Sequence, residues 1–244
     1  CIKRVCKAVI ETLLADEVRW PSENSLEIPI KFMQLSRQGF PCVAGCVDGT
    51  LINIDAPTVH EESYVDRYGN HSINALMVCG PDRRIYYITA RWPGSVHDAR
   101  ILRNSSLSNT WEAGWRPFSN AVILGDSAFG LRKWLIPPVI HGPVTPNGLR
   151  FLRAHRSTRR IIENCYGVLK EKFPCLNYLR LQPDIAGKVI LTLACVFNIE
   201  IGINGIQCDT DWDLEFNIVD EDPTGVEDAD PAALENLHRI ISLF

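Results

Sequence analysis

A chain of 244 residues with 46% apolar and 22% charged residues has the composition of a globular protein and is long enough to bury a sizeable core. Its net charge of -4 hides a split, because the stretch from Asp209 to the C-terminus holds 11 acidic residues and one basic residue, leaving 18 acidic and 24 basic residues before it. The basic body suits a polyanionic partner and the acidic tail suits screening or binding of another partner, with ordinary surface charge as the alternative.

Cysteine usage and hydropathy exclude several protein classes. The nine cysteines are odd in number and form no Cys-x-x-Cys pair, which favours reduced thiols over a disulfide framework or a zinc site. No N-terminal stretch resembles a signal peptide, and the longest apolar run, Val189 to Ile199, is too short to cross a bilayer. The chain begins with Cys1 rather than Met, so we expect a fragment that lacks an upstream region.

Helices are predicted in the first 40 residues. Residues 1–19 place apolar side chains near helical spacing, and Trp20 followed by proline ends this segment. A second short helix is expected over Ile28 to Phe40. We therefore expect residues 1–40 to be a helical segment, the end of an N-terminal region that precedes the main domain.

Three strands are predicted next. Cys42 to Pro57 is rich in β-branched residues and carries Asp48 in its middle, followed directly by Gly49. An ionised Asp inside a strand is costly unless it is paired or binds a metal, and the glycine allows close approach by another group. Asn70 to Cys79 and Arg84 to Ala90 are separated by a turn sequence and predict an antiparallel hairpin.

The middle of the chain is expected to contain short elements. They are a helix over Val96 to Leu102 with Ser95 as N-cap, an irregular insertion over 104–120, a buried strand over Asn120 to Leu124, a short helix over Leu131 to Leu135 and a loop over 139–153. The buried strand runs directly into Asp126, at the carboxyl end where ligands gather in open α/β sheets.

Two long helices and a short terminal one complete the predicted elements. Ser157 to Phe173 has an apolar face with Glu163 beside it, and Ile185 to Ile199 is almost wholly apolar and should be buried. The segment 205–230 is acidic and irregular by composition. Asp230 followed by proline predicts the cap and first turn of a last amphipathic helix.

Asp48, Asp126 and Glu163 are the candidate site residues. Carboxylates that converge at a sheet edge make a hard oxygen site for Mg²⁺ or Mn²⁺. A pair of such metals can activate water and stabilise the leaving oxygen in phosphodiester cleavage. Gly167, one turn after Glu163, leaves room for a ligand to approach. By spacing alone, however, three acids scattered over the chain are also explained as ordinary turn, cap and surface residues.

Six stretches over roughly residues 40–200 argue against that explanation, because they match the motifs of one known family and occur in the same order. They are Gly45 to Thr50, Ser63 to Gly69, His71 to Cys79, Trp92 to Asp98, Ile123 to Ser127 and Ile162 to Lys170. Each stretch is a weak signal alone, and together they are specific. The chain resembles the PIF/Harbinger family of DDE transposases and the Harbinger transposase-derived nucleases.

The resemblance implies an α/β, RNase H-like fold with a mixed five-stranded sheet flanked by helices. The nuclease domain would cover residues 41–204, between the helical segment 1–40 and an acidic tail over 205–244 that ends in the amphipathic helix. The resemblance further implies that Asp48, Asp126 and Glu163 are catalytic acids that bind Mg²⁺ or Mn²⁺. The implied function is metal-dependent DNA endonuclease activity in the nucleus, with the cytoplasm as a further location.

Asp98 and His97 lie in the fourth matching stretch. Asp98 is a candidate additional metal-site acid, and the alternative is a first-turn acid that the helix dipole favours. His97 is a candidate for orienting a phosphate or an Asp, against the alternative of a packed or capping histidine. Ser127 is excluded as a serine-hydrolase nucleophile, because Gly-Asp-Ser-Ala-Phe-Gly is not a nucleophile elbow.

A cluster of basic residues surrounds Glu163 in sequence and is a candidate DNA-binding surface. Its members are Arg150, Arg153, Arg156, Arg159, Arg160, Lys170 and Lys172. On one helix face they would hold the DNA backbone through salt-sensitive contacts that do not read sequence. The alternative is an ordinary solvated helix face.

The sequence departs from the family pattern at Phe197-Asn198, where many relatives carry His-Asn. If that histidine supports the site, its support is missing here. A second hypothesis is a domesticated, non-cleaving protein that keeps the fold and binds DNA or a partner, although the intact acids favour the enzyme. Harbinger systems use a Myb-like DNA-binding protein, which is the partner this resemblance implies, and a homo-oligomer is left open.

Overall fold

The computed structural model describes residues 1–21, 25–35, 39–205 and 230–244. Most of the acidic segment predicted over 205–230 lies outside the described residues, as does the acidic run that follows Asp209.

A mixed six-stranded sheet lies at the centre of the protein. Its strands are β1 (Val43–Ile54), β2 (Ser72–Cys79), β3 (Ile85–Pro93), β4 (Val122–Leu124), β5 (Leu135–Ile136) and β6 (Tyr178–Leu179). The order is β3-β2-β1-β4-β5, with β6 also paired to β1. The first three strands pair antiparallel, and β4, β5 and β6 join them in parallel pairings.

The predicted mixed sheet is confirmed, but it has six strands rather than five. The long strand β1 pairs with β4 through Val43 to Cys46 and with β6 through Asn53 and Ile54. The two partners share one edge of β1, and the middle of β1 lies between them. A two-residue strand has no periodic pattern, so the sequence did not reveal β6.

Eight α-helices surround the sheet in the described residues. They are α1 (Ile2–Thr12), α2 (Leu14–Glu17), α3 (Glu27–Gln34), α4 (Asp98–Arg103), α5 (Ser106–Glu112), α6 (Pro146–Lys172), α7 (Pro183–Asn204) and α8 (Pro231–Ile241). Helix α6 packs against β1 and β2, and α7 packs against β3 and α1. Ile28 and Phe32 of α3 are buried in the same core as the sheet, so this helix packs onto the sheet.

Helix α6 is longer than predicted. The expected loop over 139–153 is wrong from Pro146 onward, and so is the expected helix start at Ser157. Thr145 caps the helix, because its side chain accepts a hydrogen bond from Gly148 N, and proline occupies the first turn. Phe151 is fully buried and continues the apolar face of the helix into this additional stretch.

Two other expectations between the hairpin and α6 are also wrong. The segment 104–120 contains helix α5, with Ser105 as an N-cap that accepts from Ser108 N at 3.1 Å. The expected helix at Leu131 to Leu135 is replaced by strand β5, whose two residues pair with the buried strand β4. Both segments are short, and tertiary packing overrides weak local propensity in such segments.

Several boundaries also move by a few residues. The predicted helix over 1–19 breaks at Leu13 into α1 and α2, and the predicted second helix ends at Gln34. His97 rather than Ser95 holds the N-cap position of α4, because the Ser95 hydroxyl instead donates to Ser63 O at 2.6 Å. The cap at Asp230 is confirmed, since its side chain accepts from Ala232 N.

Helix α7 is long and apolar enough to cross a bilayer by length and composition, and it extends beyond the run that the sequence indicated. Its packing is that of a core helix. Asn198 is fully buried, accepts a hydrogen bond from Ile85 N at 2.8 Å and donates to Ile85 O at 2.7 Å. These two bonds satisfy backbone groups of the edge strand β3, which explains the asparagine on this helix.

Candidate active site

The candidate site lies beside the middle of β1, just past the end of β4. In the parallel pairing of these strands Cys46 lies level with Leu124. Asp48 and Asp126 each follow these residues by two positions, and residues two apart on a strand share a face. The fold therefore brings these two acids, 78 residues apart in sequence, to the same place, as the sequence predicted.

Asp48 is half-buried and held by two contacts. Its Oδ1 accepts a hydrogen bond from Gly49 N at 2.9 Å, and its Oδ2 lies 3.2 Å from an Arg159 guanidinium nitrogen. Burial raises the pKa of Asp48 to about 6; the Arg159 charge opposes this rise, and Asp126 and Asp98 add to it. The Asp48 carboxylate therefore experiences the negative charge of two other acids of the site.

Asp98 packs directly against the backbone beside Asp48. A Cβ atom built on Gly49 would stand 2.1 Å from Asp98 Oδ1, so only glycine permits this approach. Asn74 Nδ2 donates to the same carboxylate oxygen at 2.6 Å. Burial raises the pKa of Asp98, the Asn74 hydrogen bond opposes this, and Asp126 raises it further. Asp98 is the first residue of α4, as a first-turn acid would be, and the charge of Asp126 acts on it; the metal-site role stays a prediction.

Asp126 lies two residues past the end of β4, directly after the buried Gly125. Its Oδ1 accepts a hydrogen bond from Ala128 N at 3.0 Å, which fixes the carboxylate in a local turn. It is the acid whose charge raises the pKa of both Asp48 and Asp98. These three residues are called the strand acids below.

Glu163 reaches the strand acids through an arginine. Arg159, one turn earlier on α6, donates to Glu163 Oε1 at 2.5 Å while also pairing with Asp48. The Glu163 side chain is 52% exposed, whereas that of Arg159 is 19% exposed. A Cβ atom built on Gly167 would meet nothing within 4 Å, so the space expected next to Glu163 is present.

The predicted basic cluster divides into two groups. Arg159 points inward to the acids, and Lys170 Nζ donates to Thr50 Oγ1 at 3.0 Å and Leu51 O at 3.4 Å. Burial lowers the pKa of Lys170.

The other members lie farther from the acids or face solvent. Arg150 donates to Phe244 O, and Lys172 pairs with Glu200 on α7. Arg153 is exposed, and Arg156 and Arg160 are half-buried. The cluster is therefore not one continuous solvated face.

The strand acids suit a hard divalent cation by their chemistry. Their ligand atoms are all carboxylate oxygens, which Mg²⁺ and Mn²⁺ prefer. The mutual negative charge that raises the pKa of Asp48 and Asp98 is what a cation between them would relieve. Across the described ranges, however, no three His, Cys, Asp or Glu side chains are gathered at metal-ligand spacing.

A cleft of about 330 Å³ opens beside Asp98, and the sequence did not predict it. Its wall includes Arg67, Tyr68, Asn74, His97 and Lys170. Arg67, Tyr68 and Asn74 lie in two of the stretches that carry the family resemblance, and this was the only sign of the cleft in the sequence. The charge of His97 lowers the pKa of Asp98. His97 itself lies at the N-cap position of α4, and its side chain makes no capping hydrogen bond.

Comparisons with known proteins identify a matching family and several relatives. Residues 47–198 match the family described as DDE superfamily endonuclease. The human protein named "Putative nuclease HARBI1" is 35% identical over 205 residues, which cover 82% of this chain and 58% of the human protein. Its bovine counterpart is 34% identical over the same shares.

A plant protein is similar as well. "Protein ALP1-like" of Arabidopsis thaliana is 30% identical over 178 residues, which cover 68% of this chain and 43% of that protein. The chain thus spans less than two thirds of the length of these relatives. No solved structure matches the chain.

Proposed function

Because this chain belongs to the DDE superfamily of endonucleases, we propose that it is a metal-dependent DNA endonuclease of the Harbinger transposase type. It would hydrolyse phosphodiester bonds on an RNase H-like domain over residues 41–204. The observation that carries the proposal is the meeting of Asp48, Asp98 and Asp126, where Asp126 raises the pKa of both other acids. Carboxylates held this close together need a cation or a proton to offset their repulsion. Perturbed pKa values of this kind cluster at functional sites.

Asp48 and Asp126 would hold a divalent metal, Mg²⁺ or Mn²⁺, with Glu163 and Asp98 as further ligands. A metal bound there supplies an activated water and stabilises the leaving oxygen. One carboxylate oxygen of Asp48 already accepts a hydrogen bond from Gly49 N, and one of Asp126 accepts a hydrogen bond from Ala128 N. These bonds fix the orientation of both carboxylates. Tyr166 donates to Asp48 O at 2.6 Å and so holds the strand backbone against α6.

Arg159 keeps Glu163 close to the strand acids. Its two ion pairs span Asp48 and Glu163, so the helix acid stays next to the strand although half of its surface faces solvent. Lys170 would hold a DNA phosphate near Thr50. Arg153, Arg156, Arg159 and Arg160 would contribute further positive charge along α6 for the DNA backbone.

A second candidate is a non-cleaving DNA- or partner-binding protein that retains the fold. The observation that favours it is Arg159, whose guanidinium neutralises Asp48 and Glu163 where a metal would lie. Under either function we propose a nuclear protein that works with DNA, and a Myb-like DNA-binding protein as its partner. Self-association of the chain is a further part of this proposal.

Calorimetric titration with Mg²⁺ and Mn²⁺ tests the first candidate. We expect binding by the wild type and its loss in Asp48→Asn and in Asp126→Asn. Asp55→Asn is the matched control, because Asp55 lies just past the end of β1 and accepts a hydrogen bond from the exposed Tyr178. Binding that survives both site substitutions would reject the metal site and leave the non-cleaving protein as the remaining candidate.

A further inference from the structure

The cleft beside Asp98 has the size of a small-ligand site. Its volume of about 330 Å³ is at the lower end of the range for such pockets, roughly 300–1,000 Å³. One wall is the β1 backbone from Gly49 to Leu51, and another is the turn from Gly94 to Asp98. Because Asp98 is shared with the strand acids, a ligand in this cleft would lie directly beside the proposed reaction centre.

The lining mixes polar and apolar groups and carries positive charge from Arg67 and Lys170. Lys170 and Arg67 both line the cleft, and the charge of Arg67 lowers the pKa of Asp98, so this charge acts at the acid end of the cleft. Asn74 is buried and fixes Asp98 through the 2.6 Å hydrogen bond. Two cations in the lining of one pocket suit a ligand that bears phosphate.

Tyr68 supplies an exposed aromatic surface at the mouth of the cleft. It is 68% exposed, and the guanidinium carbon of Arg67 lies 5.0 Å from its ring centroid. Its loop is held from within, because the buried Asp66 accepts hydrogen bonds from Tyr68 N at 2.8 Å and Asn70 N at 3.1 Å. An aromatic ring exposed on a fixed loop is suited to stacking with a flat partner.

We propose that the cleft takes a single unpaired nucleotide of the DNA strand next to the cleaved phosphate. The base stacks on Tyr68, and Lys170 and Arg67 hold the phosphates on either side of it. A paired base lies inside the duplex and cannot enter a pocket, so the nucleotide must leave the stack. This inference rests on the proposed DNA substrate and adds to it the local opening of the duplex at the cleavage site.

The test uses two short duplexes that each carry one 2-aminopurine, in EDTA so that no cleavage takes place. One duplex pairs it with thymine, and the other places it opposite an abasic site. Binding is followed by anisotropy and by 2-aminopurine emission for the wild type, Tyr68→Ala and Tyr68→Phe. Tyr178→Ala is the matched control, because Tyr178 is also exposed, also has an arginine 5.8 Å from its ring and lies outside the lining of the cleft.

We expect the wild type to bind the unpaired base more tightly and to quench its emission. Tyr68→Ala should reduce that preference by roughly 5- to 150-fold, the measured range for one base–aromatic stack, while Tyr68→Phe and Tyr178→Ala retain it. A Tyr68→Ala protein that keeps the preference overturns the inference.

Two further results separate the inference from the proposed function. Equal wild-type binding of both duplexes overturns the inference and leaves DNA binding in place. A wild type that binds neither duplex removes the proposed DNA substrate and the inference with it.

Discussion

The strand acids and the helix acid occupy different electrostatic settings. Asp48 lies on β1, Asp126 follows β4 and Asp98 begins α4, and burial and mutual charge raise the pKa of Asp48 and Asp98. Glu163 comes from α6, is half exposed and is paired with Arg159. The strand acids repel one another, whereas Glu163 is paired with a cation, Arg159, from its own helix. Experiments that alter one side and spare the other can test this difference.

The largest expected effect is on cleavage when a strand acid is removed. Asp48→Ala should lower the rate of Mn²⁺-dependent plasmid nicking on the order of 1000-fold, since metal-based charge stabilisation contributes several kcal/mol. DNA affinity, measured by anisotropy, should stay within a few-fold because phosphate contacts supply it. Asp55→Ala is the control. A wild-type rate of nicking in Asp48→Ala would show that the strand acids do not carry the reaction.

The fold allowed part of this site to be predicted from sequence. The strand around Asp48 has a clear β pattern, and Gly49 signalled a close approach, which the structure confirms. The sequence could not show that the approaching group is Asp98, because that contact depends on how α4 packs beside β2. The spacing of Arg159 and Glu163 is a visible helical pair. Its second contact, with Asp48, spans 111 residues and depends on tertiary packing.

The errors in the fold have a similar physical origin. Strands β5 and β6 contain two residues each, which is too short for a periodic sequence pattern. They form because they pair with strands of the sheet, and that pairing is not visible in the sequence. The first part of α6 was missed although Thr145 and Pro146 form a recognisable cap and first turn. There the basic and polar residues of the exposed face obscured the buried positions.

The second prediction concerns the pH dependence of stability in the absence of metal. Because the pKa of Asp48 rises from 3.8 to about 6 on folding, the native state holds this proton more tightly than the unfolded chain. The stability that the protonated acid contributes is complete below pH 3.8 and is lost as the pH rises through about 6. The loss reaches up to about 3 kcal/mol.

Urea unfolding of wild type and Asp48→Asn across this pH range measures that loss. The asparagine does not ionise, so the stability of the variant relative to the wild type should increase from pH 4 to pH 7. Saturating Mg²⁺ should reduce the difference by stabilising the ionised wild type. A difference that is independent of pH would mean that Asp48 ionises normally in the folded protein.

Removing the cation from the helix side should have a smaller effect. Arg159→Gln deprives Asp48 and Glu163 of their shared partner and should destabilise the metal-free protein by about 1–3 kcal/mol at neutral pH. Arg153→Gln, on the exposed face of the same helix, should change the free energy of unfolding by less than about 0.5 kcal/mol. Urea unfolding at neutral pH in EDTA measures both.

The same Arg159 variant also distinguishes the two candidate functions. If Arg159 stands in for a metal, Mg²⁺ should recover part of the lost stability in Arg159→Gln and stabilise this variant more than the wild type. If the guanidinium is the permanent partner of the acids, Mg²⁺ should not stabilise the wild type, whatever its effect on the variant that lacks Arg159.

The smallest expected effect belongs to the cations that we propose as DNA contacts. Lys170→Met should weaken binding of any duplex a few-fold and reduce the slope of log affinity against log salt by about one, because one phosphate contact is lost. Arg150→Met is the control, since Arg150 donates to Phe244 O at the far end of α6. An unchanged slope for Lys170→Met would mean that this lysine braces β1 through Thr50 and Leu51. The phosphate contacts would then lie along Arg153, Arg156 and Arg160, with the strand acids reached from the exposed side of the helix.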